Sequence, residues 1–163
     1  MFYQSTSMGE EKIFIVDDVE TNRLILEEII KNMGCSPILF ESGEQVLEAV
    51  DQISPQLILT DISMPGMDGY ELCRRLKKKE ETRDIPVIFI SAFDHPEDIV
   101  EGLSLGGEDY ITKPFVAEVI EARVGVHLRL NAAKGALLEA NRKLQVSVSE
   151  QLRQMEQEKR NDL

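Results

Sequence analysis

The chain of 163 residues is long enough for one compact domain and an appended segment, since single domains commonly contain roughly 100–150 residues. Its net charge of −12 argues against non-specific attraction to anionic partners, so neither direct nucleic acid binding nor membrane binding is expected. No apolar run approaches the ~18 residues of a membrane span and no secretory signal is present, so a cytoplasmic location is expected.

Short apolar runs alternate with segments of helical periodicity along most of the chain. Residues 1–10 are polar and are expected to form a disordered leader. Strands are predicted at 13–16, 37–40, 57–60, 87–90 and 110–112. Helices are predicted at 21–32, 42–52, 70–79 and 96–105, and from residue 115 onward a helical pattern runs without a clear end. The sequence therefore repeats a strand–helix unit.

The first predicted helix has apolar residues at helical spacing. Leu24, Ile25, Ile29 and Ile30 are expected to form its core-facing side. Gly34 follows them as a helix C-terminal cap, because glycine readily takes the left-handed backbone conformation found there. The spacing and the cap together predict an amphipathic helix that packs on the sheet.

Strands that alternate with helices through short loops indicate right-handed βαβ units in a parallel sheet covered by helices on both faces. Five such units over about 110 residues are typical of the flavodoxin-like doubly wound α/β fold. Ligands of such folds bind beyond the carboxyl ends of the strands. We therefore expect one α/β domain at 11–125, followed by an extended helical segment at 126–163.

Reactive side chains fall at the ends of four predicted strands. Asp17 and Asp18 follow the first strand, Asp61 the third, Ser91 the fourth and Lys113 the fifth. Because parallel strands end at the same edge of a sheet, these side chains are expected to converge on one crevice. An Asp after a strand is often only a turn former or a helix cap. That explanation would have to hold independently at each strand end, so the convergence indicates a functional site.

The residue types of this set favour a hard metal ion. Three clustered carboxylates repel one another unless a cation lies between them. Oxygen ligands suit Mg²⁺, which takes one or two carboxylates together with water and a phosphoryl oxygen. His95 and His127 lie outside the strand-end set, and Cys35 and Cys73 lack a metal-binding spacing and are expected to be packed thiols. The sequence therefore predicts a Mg²⁺ site and no zinc site.

The same groups suit phosphoryl transfer, which depends on charge neutralisation and positioning more than on covalent assistance. The Asp61 carboxylate can attack phosphorus as a nucleophile. A metal ion would bridge Asp61 and one phosphoryl oxygen. Lys113 would pair with a second oxygen, and the Ser91 hydroxyl would donate to a third.

Four segments carry a close resemblance to a known family. The segments IFIVDD, LILTDISMPGMDGYELCRRLK, PVIFISA and GGEDYITKPF resemble the signature regions of receiver domains in bacterial two-component response regulators. The resemblance covers residues 11–125 and implies the strand order 2-1-3-4-5. It implies a signalling module whose only chemistry is its own phosphorylation and dephosphorylation, and not an enzyme.

The resemblance also implies the phosphoryl donor and the metal ligands. Asp61 would accept a phosphoryl group from a phosphohistidine of a sensor histidine kinase or a phosphotransfer protein. Mg²⁺ would be held by Asp18, Asp61 and the backbone carbonyl of Ser63, with Asp17 acting directly or through water.

Further residues match functional positions of the family. Lys113 matches the lysine that is typical of the family's site. The Lys113–Pro114 peptide bond matches the peptide bond before proline that is usually cis in the family. Ser91 matches the switch hydroxyl, and Tyr110 matches the switch aromatic residue that turns inward on phosphorylation. An ordinary aromatic residue at the sheet edge is the plain alternative for Tyr110.

Two other functions compete with the signalling module. A Mg²⁺-dependent phosphatase of the haloacid dehalogenase type also uses an aspartate nucleophile at a strand end. That class needs a second Asp two residues after the nucleophile, where this chain has Ser63. A degenerate scaffold that is never phosphorylated is disfavoured by the intact strand-end set.

The C-terminal helical pattern contains a heptad repeat. If position d is assigned to Leu130, Leu137 and Leu144, position a holds Asn141, Val148 and Met155. Leucine at d with a single Asn at a favours a parallel two-stranded coiled coil, so a homodimer is expected. The alternative is a charged helix that packs on its own domain or frays. In receiver proteins such helices commonly lead to an output domain, so 126–163 is interpreted as a coiled-coil extension or signalling linker of a longer protein.

Overall fold

A computed structural model describes residues 11–92 and 95–161, and the predicted leader at 1–10 lies outside them. Strands and helices alternate as β1 Lys12–Val16, α1 Glu20–Asn32, β2 Ser36–Phe40, α2 Gly43–Ala49, β3 Leu57–Asp61, α3 Gly69–Lys78, β4 Val87–Ser91, α4 Pro96–Ser104, β5 Asp109–Thr112 and α5 Ala117–Asn161. All strand pairs are parallel and the order is β2-β1-β3-β4-β5. The predicted doubly wound α/β fold and its strand order are confirmed.

The strands follow their sequence patterns. Every residue of β3 and β4 is buried, which explains their nearly continuous apolar runs. β2 lies at the edge of the sheet, where Pro37 is tolerated because one side of an edge strand has no neighbour to hydrogen-bond. α2 ends before its predicted end at 52, since the amides of Gln52 and Ile53 both turn back to the carbonyl of Ala49.

The core-facing side of α1 differs from the prediction. Leu26, Ile29 and Ile30 are buried, whereas Leu24 and Ile25 are 51% and 42% exposed. Residues three and four positions apart share one face of a helix, so the buried set forms a stripe. Leu24 and Ile25 lie two residues and one residue before Leu26, the first member of that stripe, and point away from it. The predicted helix is therefore confirmed, and its core-facing side is right at Ile29 and Ile30 and wrong at Leu24 and Ile25.

Two apolar clusters cover the two faces of the sheet. One contains Ile30 of α1 and Ile120 of α5. The other contains Val46 of α2, Leu72 of α3 and Phe89 of β4. Both cysteines are free and buried in these clusters, as predicted.

The chain divides into two compact units, with the boundary between Leu128 and Arg129. The first unit holds the sheet and the helices that cover it. The second is the remainder of α5, in which ion pairs form along the helix, at 2.7 Å between Arg142 and Glu139 and at 2.6 Å between Arg153 and Glu150. Among the residues described, none of the helices combines the length and apolar composition that crossing a membrane requires.

Candidate functional site

Three predicted carboxylates lie together at the carboxyl ends of β1 and β3. Asp17, Asp18 and Asp61 each offer an oxygen atom, and these oxygens lie within 4.8 Å of one another. Asp17 and Asp61 are 1% and 6% exposed, whereas Asp18 is exposed. The cluster forms because β1 and β3 are hydrogen-bonded neighbours whose ends meet at one sheet edge.

Lys113 places a positive charge beside the two buried carboxylates. Its Nζ atom lies 3.6 Å from Asp61 Oδ2 and 3.8 Å from Asp17 Oδ2. Its backbone amide donates to the carbonyl of Ser91 over 2.9 Å, which ties the end of β5 to the end of β4. The Lys113–Pro114 peptide bond is cis, the isomer expected from the resemblance.

Burial dominates the electrostatics of Asp61. The pKa of its carboxyl group rises to about 6, first because burial disfavours the charged form and then because Asp17 is negatively charged. Lys113 and the amide of Ile62, which donates to Asp61 Oδ1 over 2.9 Å, act in the opposite direction. One lysine does not offset the acidic cluster, so the donor set fits a divalent cation, which would favour the ionised carboxylates.

Contacts from α1 and from Val19, the residue before it, fix Asp17 in place. Its Oδ1 accepts a hydrogen bond from the amide of Val19 over 2.9 Å, and its carbonyl accepts one from the Arg23 guanidinium over 2.8 Å. The sequence did not single out Arg23, because nothing in its spacing shows that its side chain turns back to the end of β1. Arg23 therefore supports the site from outside the strand-end set.

The loop after β3 is held against Asp61 by a glycine. The amide of Gly69 donates to the carbonyl of Ile62 over 2.9 Å, and a Cβ atom at Gly69 would lie 2.3 Å from the carbonyl oxygen of Asp61. No other residue fits that space. Asp68 caps α3 with its side chain, and Ser63 is exposed within the loop. The metal-binding role of the Ser63 carbonyl stays a prediction.

Ser91 on β4 and Tyr110 on β5 lie on neighbouring strands, two register positions apart. They are 2% and 7% exposed, so the Tyr110 ring occupies an inward position. The pKa of Tyr110 is raised mainly by burial, while hydrogen bonds with Ser91 and Tyr70 oppose the rise. The predicted switch pair is therefore in contact, and its switching role stays a prediction.

The family described as response regulator receiver domain matches residues 13–125 of this chain. The chain belongs to that family. Its receiver domain is 38% identical over 122 residues to the probable transcriptional regulator ycf27 of Porphyridium aerugineum, a match that covers 75% of this chain and 50% of that protein. The chain thus spans about half the length of the curated relatives that it matches.

The receiver domain is also similar to solved structures. One is the signal receiver domain of a signal transduction histidine kinase from Syntrophus aciditrophicus, with 35% identity and a TM-score of 0.69 over 74% of this chain and 91% of that chain. Another is the BeF₃-activated DrrB receiver domain, with 29% identity and a TM-score of 0.66 over 73% of this chain and 97% of that chain.

Proposed function

We propose that the chain accepts a phosphoryl group on Asp61 from a phosphohistidine of a sensor histidine kinase or phosphotransfer protein. The observation that carries the proposal is a buried Asp61 carboxylate that has Lys113 at 3.6 Å and two further carboxylates within 4.8 Å. This arrangement supplies a nucleophile, a cation for the phosphoryl oxygens and ligands for Mg²⁺. A phosphoprotein that carries an aspartyl phosphate is the product.

The transfer is a displacement at phosphorus. A carboxylate oxygen of Asp61 forms the new O–P bond while the N–P bond of the phosphohistidine breaks. The leaving nitrogen keeps the electron pair, takes a proton from solvent and ends as neutral imidazole. Lys113 Nζ and the Ser91 hydroxyl donate to phosphoryl oxygens. Mg²⁺ held by the carboxylate cluster would neutralise charge on the phosphoryl group.

Exposed apolar side chains near the site support docking of a donor protein. Val19, Leu24 and Ile25 are 46%, 51% and 42% exposed. The amide of Val19 donates to Asp17 Oδ1, so the exposed Val19 side chain lies at the edge of the acidic cluster. A protein that covered these side chains would bring its phosphohistidine close to Asp61 and exclude water from the transfer.

For the second unit we propose a parallel homodimer through the heptad seam. Its apolar members lie on one helix and are exposed by 52–63%, namely Leu130, Leu137, Leu144, Val148 and Met155. Exposed apolar rows of this kind favour burial against a partner, and Asn141 at position a would fix the register. Phosphorylation would change the Ser91–Tyr110 face and alter the dimer or linker geometry.

The output that this change controls is a further part of the proposal. The curated relatives are named transcriptional regulators, and the chain spans about half of their length. We propose that a further domain or a separate partner carries out the response to phosphorylation. We also propose that the 163-residue chain, with its net charge of −12, does not itself bind nucleic acid. We further propose that the protein acts in the cytoplasm and does not turn over an external substrate.

The test is phosphorylation with acetyl phosphate and Mg²⁺, read by intact mass. The wild type is expected to gain one phosphoryl group and D61N none. D51N is the matched control, because Asp51 is an exposed aspartate whose nearest cation, Lys79, lies 3.9 Å away. An equal gain in D61N would overturn the assignment of Asp61. Sustained release of inorganic phosphate from phosphate monoesters would favour the phosphatase instead.

The dimer has its own test. Sedimentation of the full chain at micromolar concentration is expected to give twice the monomer mass. A monomeric mass there would contradict the proposed coiled coil and leave the phosphoryl-acceptor proposal standing.

A further inference from the structure

Tyr70 connects three elements of the first unit. Tyr70 lies in the first turn of α3, and its hydroxyl donates to the backbone carbonyl of Asp98 on α4 over 2.8 Å. Its ring meets the ring of Phe89 on β4 edge to face, with the centroids 5.3 Å apart. A single side chain therefore ties α3 and β4 to α4.

The contact continues from Phe89 to the predicted switch residue. The ring centroids of Phe89 and Tyr110 are 6.3 Å apart, so three aromatic rings connect α3, β4 and β5. Burial is the main cause of the raised pKa of Tyr70, and its contacts with Tyr110 add to that rise. Tyr110 therefore cannot leave its inward position without changing the surroundings of Tyr70.

α4 packs tightly on these rings because it carries a glycine at the contact. A Cβ atom at Gly102 would lie 3.0 Å from Phe89 Cδ2 and 3.2 Å from Tyr70 Cε1. Separations of this size are shorter than ordinary van der Waals contact, so the interface has no spare room. A displacement of the Tyr70 ring would have to be matched by a displacement of α4.

We propose that Tyr70 is a positioning residue of the switch. It holds α4 in the position that α4 takes when the Tyr110 ring points inward. The hydroxyl fixes α4 through the Asp98 carbonyl, and the ring transmits the state of Tyr110 through Phe89. The position of α4 then responds to the phosphoryl group on Asp61. This inference rests on the proposed phosphoryl-acceptor function and adds a third residue to the Ser91–Tyr110 pair.

The test uses Y70F, which removes the hydroxyl and keeps the ring. The full chain is titrated with beryllofluoride and Mg²⁺, and bound beryllofluoride is read by ¹⁹F NMR. Tyrosines labelled with ¹³C give a second signal, and the chain has only three of them, each assigned by its own Tyr→Phe variant. In the wild type, the Tyr70 and Tyr110 signals are expected to shift with the same midpoint as beryllofluoride binding. In Y70F, binding is expected to weaken about fivefold, the effect of one lost neutral hydrogen bond, with a clearly smaller Tyr110 shift.

T82V is the matched control. Thr82 is 3% exposed and its hydroxyl donates to the carbonyl of Leu76 near the other end of α3 over 2.6 Å. The variant thus loses the same kind of hydrogen bond, and it is expected to bind beryllofluoride as the wild type does. If T82V weakened beryllofluoride binding as much as Y70F does, the Y70F effect would reflect a general loss of stability, and the inference would be overturned.

The remaining outcomes separate the two proposals. Wild-type beryllofluoride binding and a full Tyr110 shift in Y70F would overturn the positioning role and leave the phosphoryl-acceptor function intact. Absence of bound beryllofluoride in the wild type would overturn the phosphoryl-acceptor function, and the positioning role with it.

Discussion

Replacing Asp61 with Asn is expected to stabilise the metal-free protein. The pKa of Asp61 is about 6 in the folded protein, against an ordinary value of 3.8. The folded state therefore binds this proton more tightly than the unfolded chain, and stability falls as the pH rises from about 4 to about 6. A shift of about two pKa units at about 1.4 kcal/mol each corresponds to about 3 kcal/mol. Asn mimics the protonated carboxyl group, so D61N should exceed the wild type by up to about 3 kcal/mol above pH 6 and match it below about pH 4.

Urea unfolding followed by far-UV circular dichroism measures this difference, in the presence of a chelator. Mg²⁺ should then stabilise the wild type and narrow the gap, because a ligand stabilises the state that binds it and D61N lacks one carboxylate of the cluster. D51N serves as the control and should stay within about 0.5 kcal/mol of the wild type, since its side chain is exposed. If D61N is no more stable than the wild type at any pH in chelator, the assignment of the raised pKa to burial is refuted.

Three further changes test separate parts of the structure. K113Q removes the cation that lowers the pKa of Asp61, so the titration of the labelled Asp61 carboxyl group in ¹³C NMR should move to higher pH. An unchanged or lower pKa of Asp61 in K113Q would contradict the contact between Lys113 and Asp61. G69A places a Cβ atom 2.3 Å from the carbonyl oxygen of Asp61 and should cost on the order of 3 kcal/mol in urea unfolding, whereas wild-type stability would show that the loop adapts. N141V should raise the melting temperature of the helical assembly and broaden its sedimentation distribution, because a polar residue at a specifies oligomeric state at the expense of stability. A single unchanged species with a lower melting temperature would count against the seam.

The sequence predicted the sheet and the acidic cluster from the same feature. Buried parallel strands are short apolar runs, and each run here ends at the point where the chain turns polar. Asp17, Asp18 and Asp61 could therefore be placed at one sheet edge without knowledge of any distance. Strand alternation supplied the fold class, and the family resemblance supplied the strand order and the residue roles.

Other features depend on distances that a linear pattern does not contain. The run from Leu24 to Leu26 is apolar at three consecutive positions, so the helical period could not decide which of them faces the sheet. The contact between Tyr70 and Asp98 depends on how far α3 lies from α4 across β4. The raised pKa of Asp61 depends on burial, which the residue type does not determine.

The charge arrangement of the second unit affects how selectively it would pair. Its ion pairs at Glu139–Arg142 and Glu150–Arg153 form within one helix. With leucines at d, the e and g positions from 131 to 154 hold no charged residue. Charges at e and g are a main means by which coiled coils accept some partners and reject others. A related regulator with a similar helix would meet no barrier from charges at e and g, so exclusion of mixed dimers would depend on Lys134 and Asn141 at a and on surfaces outside this helix.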